Sequence, residues 1–177
     1  MHYRRTDITG GTYFFTVNLA ERHQRTLVDH IDLLRQTVSS VKQRHPFRID
    51  AIVVLPDHLH AVWTLPEDDA DYPKRWMLIK TSFSRLLPNR EQRCASRKLK
   101  GERGIWQRRY WEHLIRDLDD FRSHIDYIHY NPVKHGYVKQ ASEWPFSSIH
   151  SYVSQGILPS NWGSNVDPCG TGRYGEP

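Results

Sequence analysis

Only Pro56 and Asp57 separate two apolar runs, FRIDAIVVL (47–55) and HLHAVWTLP (58–66). A link that short cannot carry the chain across a sheet, so the runs must turn back on each other as an antiparallel hairpin. Pro56 closes the first run because it has no N–H to offer a continuing ladder. Along a strand, side chains alternate faces. His58, His60 and Val62 therefore share one face, and Leu59, Ala61 and Trp63 share the other. A pair of imidazoles on one face of an otherwise apolar strand is either a polar sheet surface or part of a metal site.

The flanking segments are patterned as strands and helices in turn. GGTYFFTVNLA (10–20) has the β-branched and aromatic content of a strand. In residues 27–46, Leu27, Ile31, Leu34, Val38 and Val41 recur at helical spacing, and Pro46 closes the helix. Trp76, Ile79, Phe83 and Leu86 predict a second helix over residues 71–88. Residues 89–104 read as a basic loop, and IWQRRYWEHLIR (105–116) as a fourth strand. DLDDFRSHIDYIHYNP (117–132) opens with acidic residues suited to a helix N-terminus and is expected to stop at Asn131-Pro132. A further short helix is expected within residues 142–156, and residues 156–177 read as a tail with little intrinsic structure. The order β-α-β-β-α-β followed by a helix predicts an α+β domain of the ferredoxin-like, split-βαβ type. Its antiparallel sheet would carry two helices on one face, and the added C-terminal helix would supply a functional tyrosine. The expected organisation is one domain over residues 1–150 and a C-terminal tail over 151–177.

No apolar run approaches the roughly 20 residues that span a bilayer, and MHYRRTDITGG lacks the apolar stretch of a signal peptide. A cytoplasmic, nucleoid-associated protein with no membrane partner is expected. Cys94 and Cys169 form no metal-binding or redox pattern and read as free thiols. The net charge is +5. Its distribution says more: Arg85, Arg90, Arg93, Arg97, Lys98, Lys100, Arg103, Arg108 and Arg109 cluster against only Glu91 and Glu102. Such a block is an electrostatic footprint for a polyanion.

Imidazole suits divalent transition metals, but a pair of ligands rarely suffices. In DYIHYNP, Tyr127 and Asn131 are four apart and share one helix face. An amide oxygen at Asn131 would complete a site with His58 and His60, and Tyr127 would stand one turn away. A phenol with a pKa near ~10 is a poor nucleophile at neutral pH. Beside a cation that polarises a phosphodiester it becomes a useful one, and the resulting phosphotyrosine conserves the energy of the broken bond. Tyr130 is an alternative nucleophile by position. His129 and His135 read as surface residues.

These segments resemble the REP-associated tyrosine transposases, relatives of the single-tyrosine IS200/IS605 transposases. HLH after a Pro-Asp turn is similar to their HUH motif. WQRRYWEH, DYIHYNPVKHGYV, the opening YRR…GGTYFFTVNL and WPFSS agree with the same family, from about Tyr3 to about Ser148. The resemblance implies a ferredoxin-like fold, with His58, His60 and Asn131 as ligands of Mg²⁺ or Mn²⁺ and Tyr127 as nucleophile. It also implies a single-stranded DNA substrate bearing hairpins of the repetitive extragenic palindrome (REP) type. Attack by Tyr127 would leave a 5′-phosphotyrosine and a free 3′-hydroxyl. Arg4, Arg5, Arg90, Arg93, Arg97, Lys98, Lys100, Arg103, Arg108, Arg109 and Lys134 are candidate DNA contacts, and Trp106, Tyr110 and Trp111 are candidate stacking surfaces or core residues. Glu112 and His113 are candidates for supporting a ligand from behind. A water-using metal nuclease and a non-catalytic hairpin-binding protein stand as rival readings. Monomer and dimer are both open, as is a tail lying over the DNA groove.

Overall fold

The computed structural model describes residues 8–88, 95–99 and 101–163. Strand β1 is Thr12–Asn18. Helices α1 (Thr26–Asp29) and α2 (Ile31–Arg44) follow. The hairpin is β2 (Arg48–Val54) and β3 (His58–Thr64). Then come α3 (Tyr72–Leu86), α4 (Ala95–Leu99), β4 (Trp111–Leu114), α5 (Leu118–Lys134), a 3₁₀ turn at Ala141–Glu143 and α6 (Ile149–Ser154). The strands form one antiparallel sheet in the order β2-β3-β1-β4.

The alternation of side chains divides the core between the two faces. Tyr13, Phe15, Val17, Leu59, Ala61 and Trp63 pack with α2 and α3 residues such as Leu34, Val41, Trp76 and Phe83. Phe14, Ala51, Val53 and Val62 pack with Ile125, Tyr127 and Ile128 of α5. Each face is thus a separate apolar layer, and α5 covers the one that carries His58 and His60. Side-chain caps start α3 and α5. Asp71 accepts from the Lys74 N–H at 3.0 Å, and Asp117 accepts from the Asp120 N–H at 2.8 Å.

Several boundaries differ from the sequence reading, each because a tertiary contact overrides local pattern. The first helix breaks at His30. Its opening turn is tied to the hairpin loop, where the Leu27 N–H donates to the Pro56 carbonyl at 3.1 Å. The segment read as a loop contains α4. The fourth strand is only Trp111–Leu114. Residues 105–107 instead flank the end of β1, with Gln107 N–H donating to Asn18 O at 3.0 Å and Ala20 N–H to Ile105 O at 2.9 Å. Pro132 does not end the last long helix, which runs on to Lys134. The helix stops at Gly136, whose φ of 71° closes the C-terminus. Helix α6 runs across residue 150. Beyond it Trp162 rests on His129 at 6.1 Å between rings, so the chain up to residue 163 lies against α5. Residues 164–177, where the tail was expected to cross the DNA groove, lie outside the described residues.

The outer edge of β2 is covered rather than open. Val54 N–H donates to Phe146 O and Ser148 N–H to Ile52 O, both at 2.8 Å, so the WPFSS segment pairs with the edge and blocks further strand addition. Ser148 Oγ accepts from the Ile52 N–H at 2.9 Å and shares a 3.0 Å hydrogen bond with His129 Nε2. His129 was read as a surface residue, but it is fully buried. The helix turns it inward, onto the covering segment and Tyr152. Burial, with His150 nearby, holds its pKa down to about 4. A histidine whose folded-state pKa lies below its unfolded value of about 6.5 contributes stability at neutral pH that is lost as pH falls between those values. Thermal melts should therefore show Tm falling from pH 7 to pH 4.5, and His129→Gln should flatten that slope. An equally steep slope in the variant would rule His129 out as its source.

Candidate active site

His58 and His60 are 1% and 0% exposed. Their rings meet edge to face with centroids 5.0 Å apart. Neighbours hold each ring. Thr16, opposite His60 in the β1–β3 ladder, bonds its Nδ1 at 2.9 Å. Asp57, the second residue of the hairpin link, lies 2.7 Å from His58 Nδ1. Asp57 also pairs with Arg22, which reaches Asn18 Oδ1 at 3.2 Å. Burial opposes ionisation of Asp57, but hydrogen bonds from His58 and Arg22 hold its carboxyl down to about 2. Burial pushes the His58 pKa down against the pull of that carboxylate, which favours the neutral imidazole that a metal requires.

The His58 Nε2 is buried and has no hydrogen-bond partner. A buried nitrogen left this way normally costs stability, and a carboxylate behind a histidine is the usual support of a metal ligand. The donor set therefore fits a divalent cation.

Helix α5 brings Tyr127 to the same place. Its ring lies edge-on to His60 at 5.1 Å and to Phe14 at 6.0 Å, and the residue is 2% exposed. The Lys134 ammonium lies 4.8 Å from the ring centroid and donates to the phenol oxygen at 3.3 Å. Asn131 stands one turn beyond Tyr127 on α5 and is fully buried. Tyr130 is half-exposed and lies beside Gly163. His135, at the helix end, is exposed, as the sequence suggested. Its ring nonetheless sits 5.2 Å from His58, at the mouth of the site.

The two candidates for supporting a ligand, Glu112 and His113, lie on β4. Glu112 pairs with Phe15 in the ladder, so it faces α2 and α3, on the other side of the sheet from His58 and His60. His113 is on the same side as the site, but Phe14 stands between it and His60. His113 bonds Asp120 at 2.8 Å instead. With His124 they form a group whose potential ligand atoms lie within 4.8 Å of one another. Asp120 already accepts from His113 and from the Arg116 N–H at 3.0 Å, so the group ties β4 to the start of α5. The supports that sequence reasoning missed are Asp57, Arg22 and Thr16. Asp57 was legible as a carboxylate adjoining His58, whereas Thr16 needed the strand register and Arg22 the packing of the segment after β1 against the hairpin link.

Of the candidate DNA contacts, Arg4, Arg5, Arg90, Arg93 and Lys100 lie outside the described residues, as does the side chain of Lys98. Arg97 is half-buried and Arg109 exposed. Arg108 bonds Glu102 at 2.9 Å and Ser96 Oγ at 3.1 Å. Arg103 is half-buried. Its guanidinium caps α3 by donating to the carbonyls of Ser84, Leu87 and Pro88. Arg103→Ala should accordingly cost about 1–2 kcal/mol of stability in urea titrations and leave the salt dependence of DNA binding unchanged. A reduced salt slope at unchanged stability would return it to the DNA surface. Trp106 belongs to the core, against Phe83 at 5.6 Å. Trp111 lies half-buried against Phe14 and His113. Among the described residues no helix is long and apolar enough to cross a membrane.

No family model matches the chain. The REP-associated tyrosine transposase of Escherichia coli is 46% identical over 171 residues, covering 97% of this chain and 96% of that one. A Haemophilus influenzae homologue named for the same family is 47% identical over 167 residues, covering 94% and 95% of the two chains. A solved REP-associated tyrosine transposase, bound to a REP hairpin, superposes with a TM-score of 0.85 at 44% identity and covers all of this chain and 98% of its own. Identity at this level over nearly the whole length, on the same fold, makes this chain a member of the REP-associated tyrosine transposases.

Proposed function

We propose that the protein is a metal-dependent single-stranded DNA transesterase that cleaves and rejoins strands beside REP-type hairpins. The observation that carries this reading is the meeting of Tyr127 with the buried His58–His60 pair, with a lysine on its phenol oxygen. The solved relative bound to a REP hairpin supports the choice of DNA. The sheet order β2-β3-β1-β4, with α2 and α3 on one face, supports a ferredoxin-like split-βαβ core to which α5 adds the tyrosine from the other face.

In this mechanism His58, His60 and Asn131 would hold Mg²⁺ or Mn²⁺. Asp57 and Thr16 keep the imidazoles oriented. A cation held there would supply electrostatic polarisation of the scissile phosphate. Tyr127 Oη attacks phosphorus, the bond to the 3′ oxygen breaks, and that oxygen leaves as a 3′-hydroxyl carrying the proton given up by the phenol. A 5′-phosphotyrosine remains, and attack by a new 3′-hydroxyl reverses the step. Lys134 places positive charge where the phenol oxygen gains negative charge in both directions. Exposed Arg109 is available to backbone phosphates, which position the strand without reading its sequence. Such chemistry belongs in the cytoplasm, with DNA.

The test is a denaturing protein gel after incubation with labelled single-stranded hairpin DNA and Mg²⁺ or Mn²⁺. Metal-dependent label migrating with the protein is the expected result. Cleaved DNA with no label on the protein would make water the nucleophile. Tight binding of hairpins without cleavage of any of them would leave a binding protein.

A further inference from the structure

Four rings stand in a row across the site. Tyr127 meets His60 at 5.1 Å, His60 meets His58 at 5.0 Å, and His58 meets His135 at 5.2 Å between centroids. Each of these contacts is edge to face. Tyr127, His60 and His58 are buried, and His135, at the end of the row, is exposed. The transesterification uses the first three and leaves His135 without a task.

The row has its cause in the backbone. Tyr127, Asn131 and His135 are spaced four apart, so they form one stripe along α5. His135 caps the helix, its N–H donating to Asn131 O at 3.0 Å, so the stripe continues through the last turn. The helix rises about 12 Å from Tyr127 to His135. Tyr127 lies against His60 and His135 against His58, so α5 runs antiparallel to the strand that carries the pair. The two ends of the stripe therefore flank the histidine pair on opposite sides. At the rim, Tyr137 lies 6.1 Å from the His135 ring and is itself packed on Trp144 at 5.2 Å.

Displacement at phosphorus keeps the attacking and leaving oxygens roughly in line, on opposite sides of the phosphorus. A phosphate seated over His58 and His60, with Tyr127 at one end, directs its leaving oxygen toward the other end. His135 is the side chain that the row places there. We propose that the His135 imidazole donates a hydrogen bond to the 3′ oxygen as that oxygen leaves phosphorus. The inference rests on the transesterase reading and adds a catalytic residue to it. The bond from Tyr127 Oη to phosphorus forms and the bond from phosphorus to O3′ breaks. Its electron pair goes to O3′, which ends with the proton that the phenol gives up. Imidazole carries an N–H in both its neutral and its charged form, so the contact requires no change of protonation. In rejoining, the same contact receives the 3′-hydroxyl that attacks the phosphotyrosine. Lys134 and His135, neighbours in the chain, thus serve the attacking and the leaving oxygen of cleavage.

The test uses two single-stranded hairpin substrates that differ in one atom, with oxygen or sulfur at the 3′ bridging position of the scissile linkage. With a thiol pKa near ~8.5, sulfur leaves as a thiolate and needs no donor. His135→Phe keeps a ring against His58 and removes the N–H, and His135→Ala is measured in parallel in case the larger side chain disturbs the rim. Single-turnover cleavage is followed in Mn²⁺ with saturating protein. Each variant should cut the oxygen-linked substrate about a hundredfold more slowly than wild type, the usual loss for one donor to a developing oxyanion. On the sulfur-linked substrate the loss should stay below about fivefold. Hairpin affinity by fluorescence anisotropy, Mn²⁺ affinity and the circular dichroism melt should match wild type. Equal losses on both substrates would overturn the proposal, and with weaker Mn²⁺ binding they would make His135 a metal ligand instead. Wild-type cleavage of the oxygen substrate by the variants would remove His135 from the reaction. The wild-type covalent band is scored separately. Its absence, with the sulfur-selective rescue still found, would sink the tyrosine reading and leave His135 at the leaving oxygen. Its presence without that selectivity would sink the His135 assignment alone.

Discussion

Tyr127→Phe should remove the covalent protein–DNA band and lower cleavage by at least roughly a thousandfold, because the variant lacks the oxygen that would attack phosphorus. The expectation comes from the packing. Tyr127 is almost wholly buried between His60, Phe14 and the Lys134 side chain, and its oxygen faces the lysine. Phenylalanine fills the same volume, so the helix should stay in place and the hairpin should still bind. The variant therefore isolates one oxygen atom. The measurement is single-turnover cleavage with label scored on the protein, alongside a melt and a binding curve. Persistent cleavage without an adduct would mean that water attacks and that Tyr127 is a packing residue. A persistent adduct would move the nucleophile elsewhere. Tyr130, three residues on along α5 and beside Gly163, would be the first position to test.

The second large effect is expected at the histidines. His58→Ala or His60→Ala should lower cleavage by about a hundredfold or more and weaken Mn²⁺ binding in a titration, while hairpin affinity changes little. His58 is the cleaner test. Its Nδ1 is hydrogen-bonded to Asp57, while its buried Nε2 has no partner in the protein, so the Nε2 is the atom left for a metal. A His58→Ala protein that keeps wild-type cleavage in Mg²⁺ would sink the metal reading. Loss of folding in the melt would call for His58→Gln, which keeps an amide near the Asp57 carboxylate. If the site is a metal centre, His58→Gln should still lower Mn²⁺ affinity while restoring the melt. Wild-type Mn²⁺ affinity in that variant would contradict it.

Much of this arrangement was legible locally. The link of Pro56 and Asp57 dictated the hairpin, and strand alternation put His58 and His60 together. Helical spacing put Tyr127 and Asn131 on one face. The elements read less well are those whose ends depend on partners elsewhere. Pro132 reads as a stop because it lacks an N–H, yet the helix passes it and ends at Gly136. His129 reads as polar and therefore exposed. It is buried because Ser148, nineteen residues away, supplies a hydrogen-bond partner. Arg103 reads as part of a cationic surface, but three carbonyls at the end of α3 claim its guanidinium.

What the sequence determined by itself is the set of periodic relations: which residues share a strand face, which share a helix face, and where a turn is too short to be anything but a hairpin. Backbone geometry enforces these within a few residues, whatever the rest of the chain does. What only the tertiary structure decided is which of those faces meet. The sheet order puts the α5 layer over His58 and His60 and leaves Glu112 on the other side. The strand register sets Thr16 behind His60, and the packing of residues 105–107 against the end of β1 is set by backbone bonds to Asn18 and Ala20. Those contacts depend on pairing between segments far apart in the chain, and no local period encodes which strand will lie beside which.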